Sequence, residues 1–378
     1  MEVIVALIVI LILAKGLGEL FERVGYPSMV GEILAGVILG PSLLGLVEFN
    51  GTIRLFADLG IIALLFISGA EMNLDSLARS RRSSASAAIG GVVVPFGLGL
   101  LVGLAFHLDW TESVFLGTVL SVTSIGISVR TLLDLKSLKG RIGSTIVEAA
   151  IFDDVIGIVL LALLSSFALA GGQGVLETFL PMLAGAVILI LLVTVGRGPV
   201  ASLYDRARRA STHEMSYAVA ILIGLILATV THLSGLHYAI GAFVAGLIIG
   251  PPIRKNIHLF ESLSDFAFGF MATFFFASVG LLLHLSVDHL TSLLVPVTVV
   301  LAILGKVLGG YLGALRPLGR EDALTVGIGL VPRGEVALII ANIALIQGVI
   351  GDKLFTAVTV VVLVSILVTP TLLKGRLG

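Results

Sequence analysis

Apolar runs of about twenty residues recur along the whole chain, and that length is what an α-helix needs to cross the hydrocarbon core of a bilayer. Splitting the 378 residues at polar and Pro/Gly clusters gives thirteen candidate spans. They lie near 2–22, 28–46, 54–72, 85–106, 113–132, 143–170, 176–196, 215–233, 237–250, 262–284, 290–314, 322–346 and 353–373. Within lipid every backbone N–H and C=O has to be satisfied inside the protein, so continuous apolar runs are expected to be helices; a barrel needs short alternating strands. The ninth run is short and is expected to tilt or to lie in thin bilayer. Only 12% of the side chains are charged, about half the share of a soluble protein, and the apolar residues are not gathered into one anchor. The absence of cysteine excludes disulfides, thiol catalysis and cysteine metal sites. Nothing resembles a soluble catalytic domain; no enzyme activity, cofactor, resident metal or nucleic-acid partner is expected. Met1-Glu2-Val3 lacks the basic stretch of a cleaved signal peptide, so the first run is expected to be a retained span.

The basic residues orient the spans, because cytoplasmic loops carry the excess of Lys and Arg. One set of alternate loops takes Arg23; Arg79, Arg81 and Arg82; Arg130, Lys136, Lys139 and Arg141; Arg197, Arg206, Arg208 and Arg209; Arg254 and Lys255; Arg316 and Arg320; Lys374 and Arg376. The other set holds Arg54 and Lys353, and Lys15, Lys306 and Arg333 fall within spans. The imbalance places the C-terminus in the cytoplasm. An odd number of spans then places the N-terminus outside a multi-pass protein of the cell (inner) membrane.

The chain also repeats itself. VGEILAGVILGPS (30–42) aligns with IGAFVAGLIIGPP (240–252) at an offset of 210, with Gly31/Gly241, Ala35/Ala245, Gly36/Gly246, Ile38/Ile248, Gly40/Gly250 and Pro41/Pro251 identical. The same offset pairs Phe66 with Phe276 and Ser68 with Ser278. The matched spans are the second and the ninth, an odd number apart, so the two copies face opposite ways. Inverted repeats of this kind build alternating-access transporters. Spans one to six and eight to thirteen are the halves, and span seven connects them.

Ionisable groups within spans are costly and mark function. Phe152-Asp153-Asp154-Val155 lies in the middle of span six. Adjacent helix residues point about 100° apart, so the two carboxylates are expected to serve different roles. Lys306 lies within span eleven. Alone in hydrocarbon an ammonium sheds its proton, and a buried carboxylate partner holds it charged. Gly305, Gly309 and Gly313 beside it permit close helix packing. SVTSIGIS (121–128) and GLVPRGEVAL (329–338) read as helix breaks, and the offset of 210 carries Thr123 onto Arg333. Paired interruptions point to a transport site. Thr123 and Ser124 offer hydroxyl and carbonyl oxygens to a hard cation, and Pro332 removes a helix hydrogen bond. Arg333 and Glu335 either compensate the opposed helix ends or form a structural ion pair. Glu148 is expected to be structural; Glu19 and Glu32 lie in a cavity or near an interface; Asp58 takes no role. His213 and His258 are pH-sensor candidates or ordinary interfacial histidines.

YPSMVGEILAGVILGPSLLGL (26–46), TSIGISVR (123–130), FDDVIG (152–157), GKVLGGYLGAL (305–315) and LTVGIGLVPRGEVALII (324–340) resemble the cation:proton antiporter-2 family, specifically its NapA-type Na+/H+ antiporters. The resemblance implies an all-α polytopic fold of about thirteen transmembrane helices, two inverted six-helix repeats with crossed unwound helices, in a homodimer embedded in lipid. It implies scaffold and dimerisation segments at 1–80 and 213–285, core ion-transport segments at 84–172 and 288–374, and a linker helix at 175–210. Asp154 matches the family's main ion-binding carboxylate, and Asp153 the residue that pairs with the membrane lysine, here Lys306. Electroneutral relatives commonly carry Asn where this chain has Asp153, which favours electrogenic exchange. The chain stops about five residues past its last span, so the cytoplasmic nucleotide-binding domain of the potassium-efflux relatives is not expected. The resemblance implies a secondary antiporter of Na+ (or Li+) for H+, with K+ as the alternative cation. A Na+-coupled solute symporter is disfavoured by the Asp153, Asp154 and Lys306 set, and a channel by the inverted repeat.

Overall fold

A computed structural model describes residues 3–72, 82–135, 137, 140–170, 187, 191, 194, 197–207, 213–234, 236–284 and 292–377. Among these residues the protein is all-helical. The helices are α1 (Val3–Arg23), α2 (Ser28–Leu39), α3 (Gly51–Glu71), α4 (Arg82–Ala105), α5 (Trp110–Ser121), α6 (Ile125–Asp134), α7 (Arg141–Ala170) and α8 (Arg197–Ala207). They continue as α9 (His213–Leu233), α10 (Tyr238–Arg254), α11 (Ile257–Leu282), α12 (Leu294–Leu318), α13 (Arg320–Gly329), α14 (Glu335–Ile346) and α15 (Asp352–Leu377). Seven of the described helices, α1, α3, α4, α9, α11, α12 and α15, are long and apolar enough to cross a membrane. Shorter apolar helices, α2, α10 and α14, accompany them. Most of span seven and of the linker 175–210 lies outside the described residues.

Local chemistry sets the helix starts. Asn50 Oδ1 accepts the N–H groups of Thr52 and Ile53, both at 3.1 Å, to open α3. Asp109 and Glu112 form a reciprocal capping box on α5, which satisfies donors that a helix start leaves free. Proline sits inside α4, α10, α12 and α15; neighbouring helices and hydroxyls re-satisfy the freed carbonyls in a membrane protein. Span ten holds a difference from expectation. It begins at Ile257 rather than 262 and is interrupted by a π-helical turn, Ala267–Met271.

The repeat is written into the element boundaries. Helix starts at Ser28 and Tyr238, Trp110 and Arg320, and Ile125 and Glu335 each differ by 210 residues.

The chain divides into two compact units. The first comprises Met1–Leu20, Gly31–Asn73 and Val159–Leu282. Within it, glycines of α2 and α10 meet backbone in equivalent ways. A side chain on Gly31 would fall on Leu17, and one on Gly241 on Leu227, itself 210 residues further on. Gly36 lies against Ala277 and Gly280, and Gly246 against Phe66 and Ala70. The GxxxxG spacing common to both copies is therefore a packing requirement, met by the residue without a Cβ. Lys15 Nζ reaches Glu32 Oε1 at 2.8 Å and the Phe268 carbonyl in the π-helical turn at 3.0 Å, and Thr273 donates to Glu32 at 3.3 Å. The buried Glu32 carboxylate is thus paired with a partly exposed lysine within one unit. Asp58 accepts a hydrogen bond from the Tyr238 hydroxyl.

The second unit comprises Phe21–Val30, Leu74–Ile158 and Leu283–Gly378. Its centre is the pair α4 and α12, where Gly90, Gly309 and Gly313 bring the two backbones together and Ser86 Oγ donates to Gly313 O at 2.6 Å.

Candidate ion-binding site

In the second unit, spans five and twelve are each broken in two. The helix lapses at residues 122–124 between α5 and α6, and at 331–334 between α13 and α14. The breaks touch. Ser124 N–H donates to Pro332 O at 2.8 Å, and Ser128 Oγ to Gly329 O at 2.6 Å. A side chain on Gly334 would fall on that of Ser124, so glycine is what lets the two chains cross there.

Broken helices leave carbonyls unpaired at their C-terminal ends, where the helix dipole is negative. The structure meets them with cations. Lys306 Nζ, carried by α12, donates to Ser121 O at 2.5 Å. Arg333 donates to Leu120 O at 2.7 Å, to Ala302 O at 3.0 Å and to Val331 O, while its own N–H donates to Ser365 Oγ at 3.0 Å. Both cations are wholly buried, at 0% exposure, so the backbone carbonyls replace water as their solvent. Glu335 stands in the first turn of α14 and accepts from Ser124 Oγ at 3.2 Å. Arg333 and Glu335 therefore hold different partners, and the simple ion pair considered from the sequence is not what the guanidinium makes.

The carboxylate of Asp153, 1% exposed on α7, enters from the other side. Its Oδ2 accepts from Lys306 Nζ at 2.7 Å and from Thr123 Oγ1 at 2.5 Å. Its Oδ1 is buried and has no hydrogen-bond partner among the described residues. Asp154 is in α7 by its backbone; its side chain lies outside the described residues. A buried ammonium, a buried carboxylate and two helix ends thus share one location. Such groups respond strongly to the arrival of any further charge, because little solvent screens them.

Of the residues proposed from the sequence, Asp153, Lys306, Thr123, Ser124, Arg333 and Glu335 come together at the crossing. Glu148 stands apart, accepting from Ser84 Oγ at 2.6 Å. His258 is exposed, and the side chain of His213 lies outside the described residues. Sequence reasoning passed over Ser128 and Ser365, because a lone serine in an apolar helix ordinarily bonds its own backbone. It also passed over the carbonyls of Leu120 and Ser121, which no side-chain pattern reveals.

Comparison with known proteins gives this geometry a family. The family model described as "Sodium/hydrogen exchanger, transmembrane" matches residues 4–375. The chain is 32% identical over 372 residues to the Na(+)/H(+)-K(+) antiporter GerN of Bacillus cereus, covering 98% of this chain and 95% of that protein. It is 30% identical over 375 residues to a Na(+)/H(+) antiporter of Enterococcus hirae, covering 99% and 98%. Among solved structures, that of the sodium proton antiporter MjNhaP1 from Methanocaldococcus jannaschii matches with a TM-score of 0.72 over 100% of both chains at 18% identity, a likeness of fold. On the match of nearly its entire length, this multi-pass membrane chain belongs to the sodium/hydrogen exchanger family.

Proposed function

We propose that this protein is a secondary antiporter that exchanges Na+ (or Li+) for H+ across the cell membrane by alternating access. The observation that carries the reading is the Asp153–Lys306 pair, buried at the crossing of two broken helices. A membrane protein maintains such a pair at a cost, and two broken helices are where a transporter places its ion. Asp154 binds either a partly dehydrated cation or a proton, never both. Asp153 and Lys306 stay paired until the cation arrives. Positive charge near Asp154 then disfavours the ammonium, and Lys306 gives up a proton in addition to that of Asp154. Two protons against one Na+ make the exchange electrogenic.

The unit holding the pair is the core that carries the ion; the other is the scaffold, through which two copies form a homodimer. The N-terminus lies outside and the C-terminus in the cytoplasm of the inner membrane. The test is reconstitution in liposomes under an imposed pH gradient, with proton release recorded on adding Na+, Li+, K+ or choline. Release by Na+ and Li+ but not by choline is expected. The name of the Bacillus cereus relative includes K+, so release by K+ alone would make this a K+/H+ antiporter. Release by none of them would overturn the reading.

A further inference from the structure

The first compact unit holds a cavity of about 230 Å³. Close-packed interiors leave few voids larger than one water molecule, whose share of liquid volume is about 30 Å³. Three helices build this one: α3 with residues between 59 and 67, α9 with residues between 221 and 225, and α11 with residues between 263 and 271. Its lining residues are all Leu, Ile, Ala, Phe, Met or Gly. A water molecule needs two to four polar partners, and no side chain here supplies one, so the space suits an apolar occupant. Small residues on each wall keep it open, Ala63 on α3, Gly224 on α9 and Ala267 on α11. The π-helical turn adds a residue to α11 at this level, and its first and last residues, Ala267 and Met271, both line the cavity. Between them the Phe268 carbonyl accepts from Lys15 Nζ at 3.0 Å, which satisfies the irregular turn.

Depth and exposure say what fills the space. The three helices are long and apolar enough to cross a membrane. Each lining residue stands four or more residues inside its helix, or about 6 Å at about 1.5 Å per residue. The medium at that depth is hydrocarbon. Leu225 lines the cavity and is exposed, as are Leu222 and Ile226 beside it, so the lining continues into the exposed apolar face of α9. Lipid tails are as apolar as these side chains, so no transfer from water draws one in. The drive is packing, because atoms that line an empty space forfeit their dispersion contacts. We propose that this cavity is a binding site for one acyl chain of a phospholipid from the surrounding bilayer, seated against the π-helical turn of α11. The site is independent of the ion-exchange reading, since it requires only that these three helices span a bilayer.

The test is photolabelling in phosphatidylcholine liposomes that contain a small fraction of a phosphatidylcholine with a diazirine midway along one acyl chain. Mass spectrometry then locates the labelled residues. Phe66, Ile67 and Leu263 line the cavity and are buried, out of reach of lipid that merely surrounds the protein, and they are expected to be labelled. Ile4 and Ile12 on α1 are exposed and report the surrounding lipid. Ala63→Phe and Ile221→Trp fill the cavity from two different helices. Each is expected to lower labelling of Leu263 relative to Ile12 about tenfold, the change that about 1.4 kcal/mol of lost binding gives. Tm is expected to hold or rise, because an apolar void is filled. Absence of label on Phe66, Ile67 and Leu263 in the unaltered protein overturns the proposal. So does a labelling ratio that neither variant lowers. A fall of Tm in both variants overturns it too, since the space would then not be there to fill. The chain has no cysteine, so Leu225→Cys tests the rival occupant: its oxidative cross-linking into dimers would put a second copy over the cavity in place of lipid.

Discussion

Lys306 is gripped from two directions, by a carboxylate at 2.7 Å and a helix-end carbonyl at 2.5 Å. That double hold separates two roles for it. A proton carrier must let go when cation arrives; a tether for Asp153 need not. Replacing Lys306 with Gln keeps a donor for Ser121 O but removes the charge. Breaking one partner from a buried pair typically costs about 3–5 kcal/mol, so a lower Tm is expected on either reading. The discriminating measurement is Na+-driven current with simultaneous proton flux, where the carrier role predicts less net charge per Na+ and the tether role an unchanged ratio. Asp154→Asn is expected to fold and to lose exchange, because an amide neither releases a proton nor binds Na+ as a carboxylate does; near-normal exchange in a well-folded variant would end its assignment. Thr123 donates to Asp153 Oδ2 rather than standing free for a cation. Thr123→Val with Ser124→Ala is therefore expected to weaken apparent Na+ affinity more than maximum rate, by unsettling Asp153 as well as by removing oxygens. Unchanged affinity would leave backbone or water oxygens as the ligands.

At the scale of elements, glycine spacing decides which helices meet. Gly36 and Gly246 stand where any side chain would enter a neighbouring helix, whereas Gly97 on α4 has nothing within 4 Å. Gly246→Ala is expected to cost about 1–3 kcal/mol by overpacking, and Gly97→Ala to be neutral or to gain up to about 1 kcal/mol from helix propensity. Thermal unfolding in detergent checks both. Equal effects would mean that the α3–α10 contact is looser than the structure has it. The helix breaks follow a different logic. They persist because freed carbonyls at the crossing find partners, Lys306 on Ser121 O, Arg333 on Leu120 O and Val331 O, Ser128 on Gly329 O and the Ser124 N–H on Pro332 O, which lets irregular backbone exist at that depth.

For the whole molecule, the lack of cysteine makes topology directly testable. The proposed orientation puts Asn50 on the outside and Arg376 in the cytoplasm. A membrane-impermeant maleimide applied to intact cells is expected to label Asn50→Cys and not Arg376→Cys, with the reverse in inside-out vesicles. Labelling of both from one side would refute the orientation drawn from the basic loops. The helix starts that recur at an offset of 210 show that the repeat, found in thirteen residues of sequence, organises both compact units.

Span composition, the offset of 210 and the two breaks were legible because each is local. Hydrocarbon selects apolar length, backbone proximity selects glycine, and proline or a run of small polar residues ends a helix wherever it occurs. That Lys306 would have a buried carboxylate partner was also foreseeable, since a lone charge in lipid has to find its opposite; that the partner is Asp153 followed from the family resemblance alone. Other features were not. That Arg333 would lie on the carbonyls of Leu120 and Ala302 instead of beside Glu335, and that Lys15 would close on Glu32 and a π-helical turn, are matters of rotation about helix axes. A neighbouring residue differs by about 100° in direction, and only the packing of one helix against another fixes which of the two looks inward.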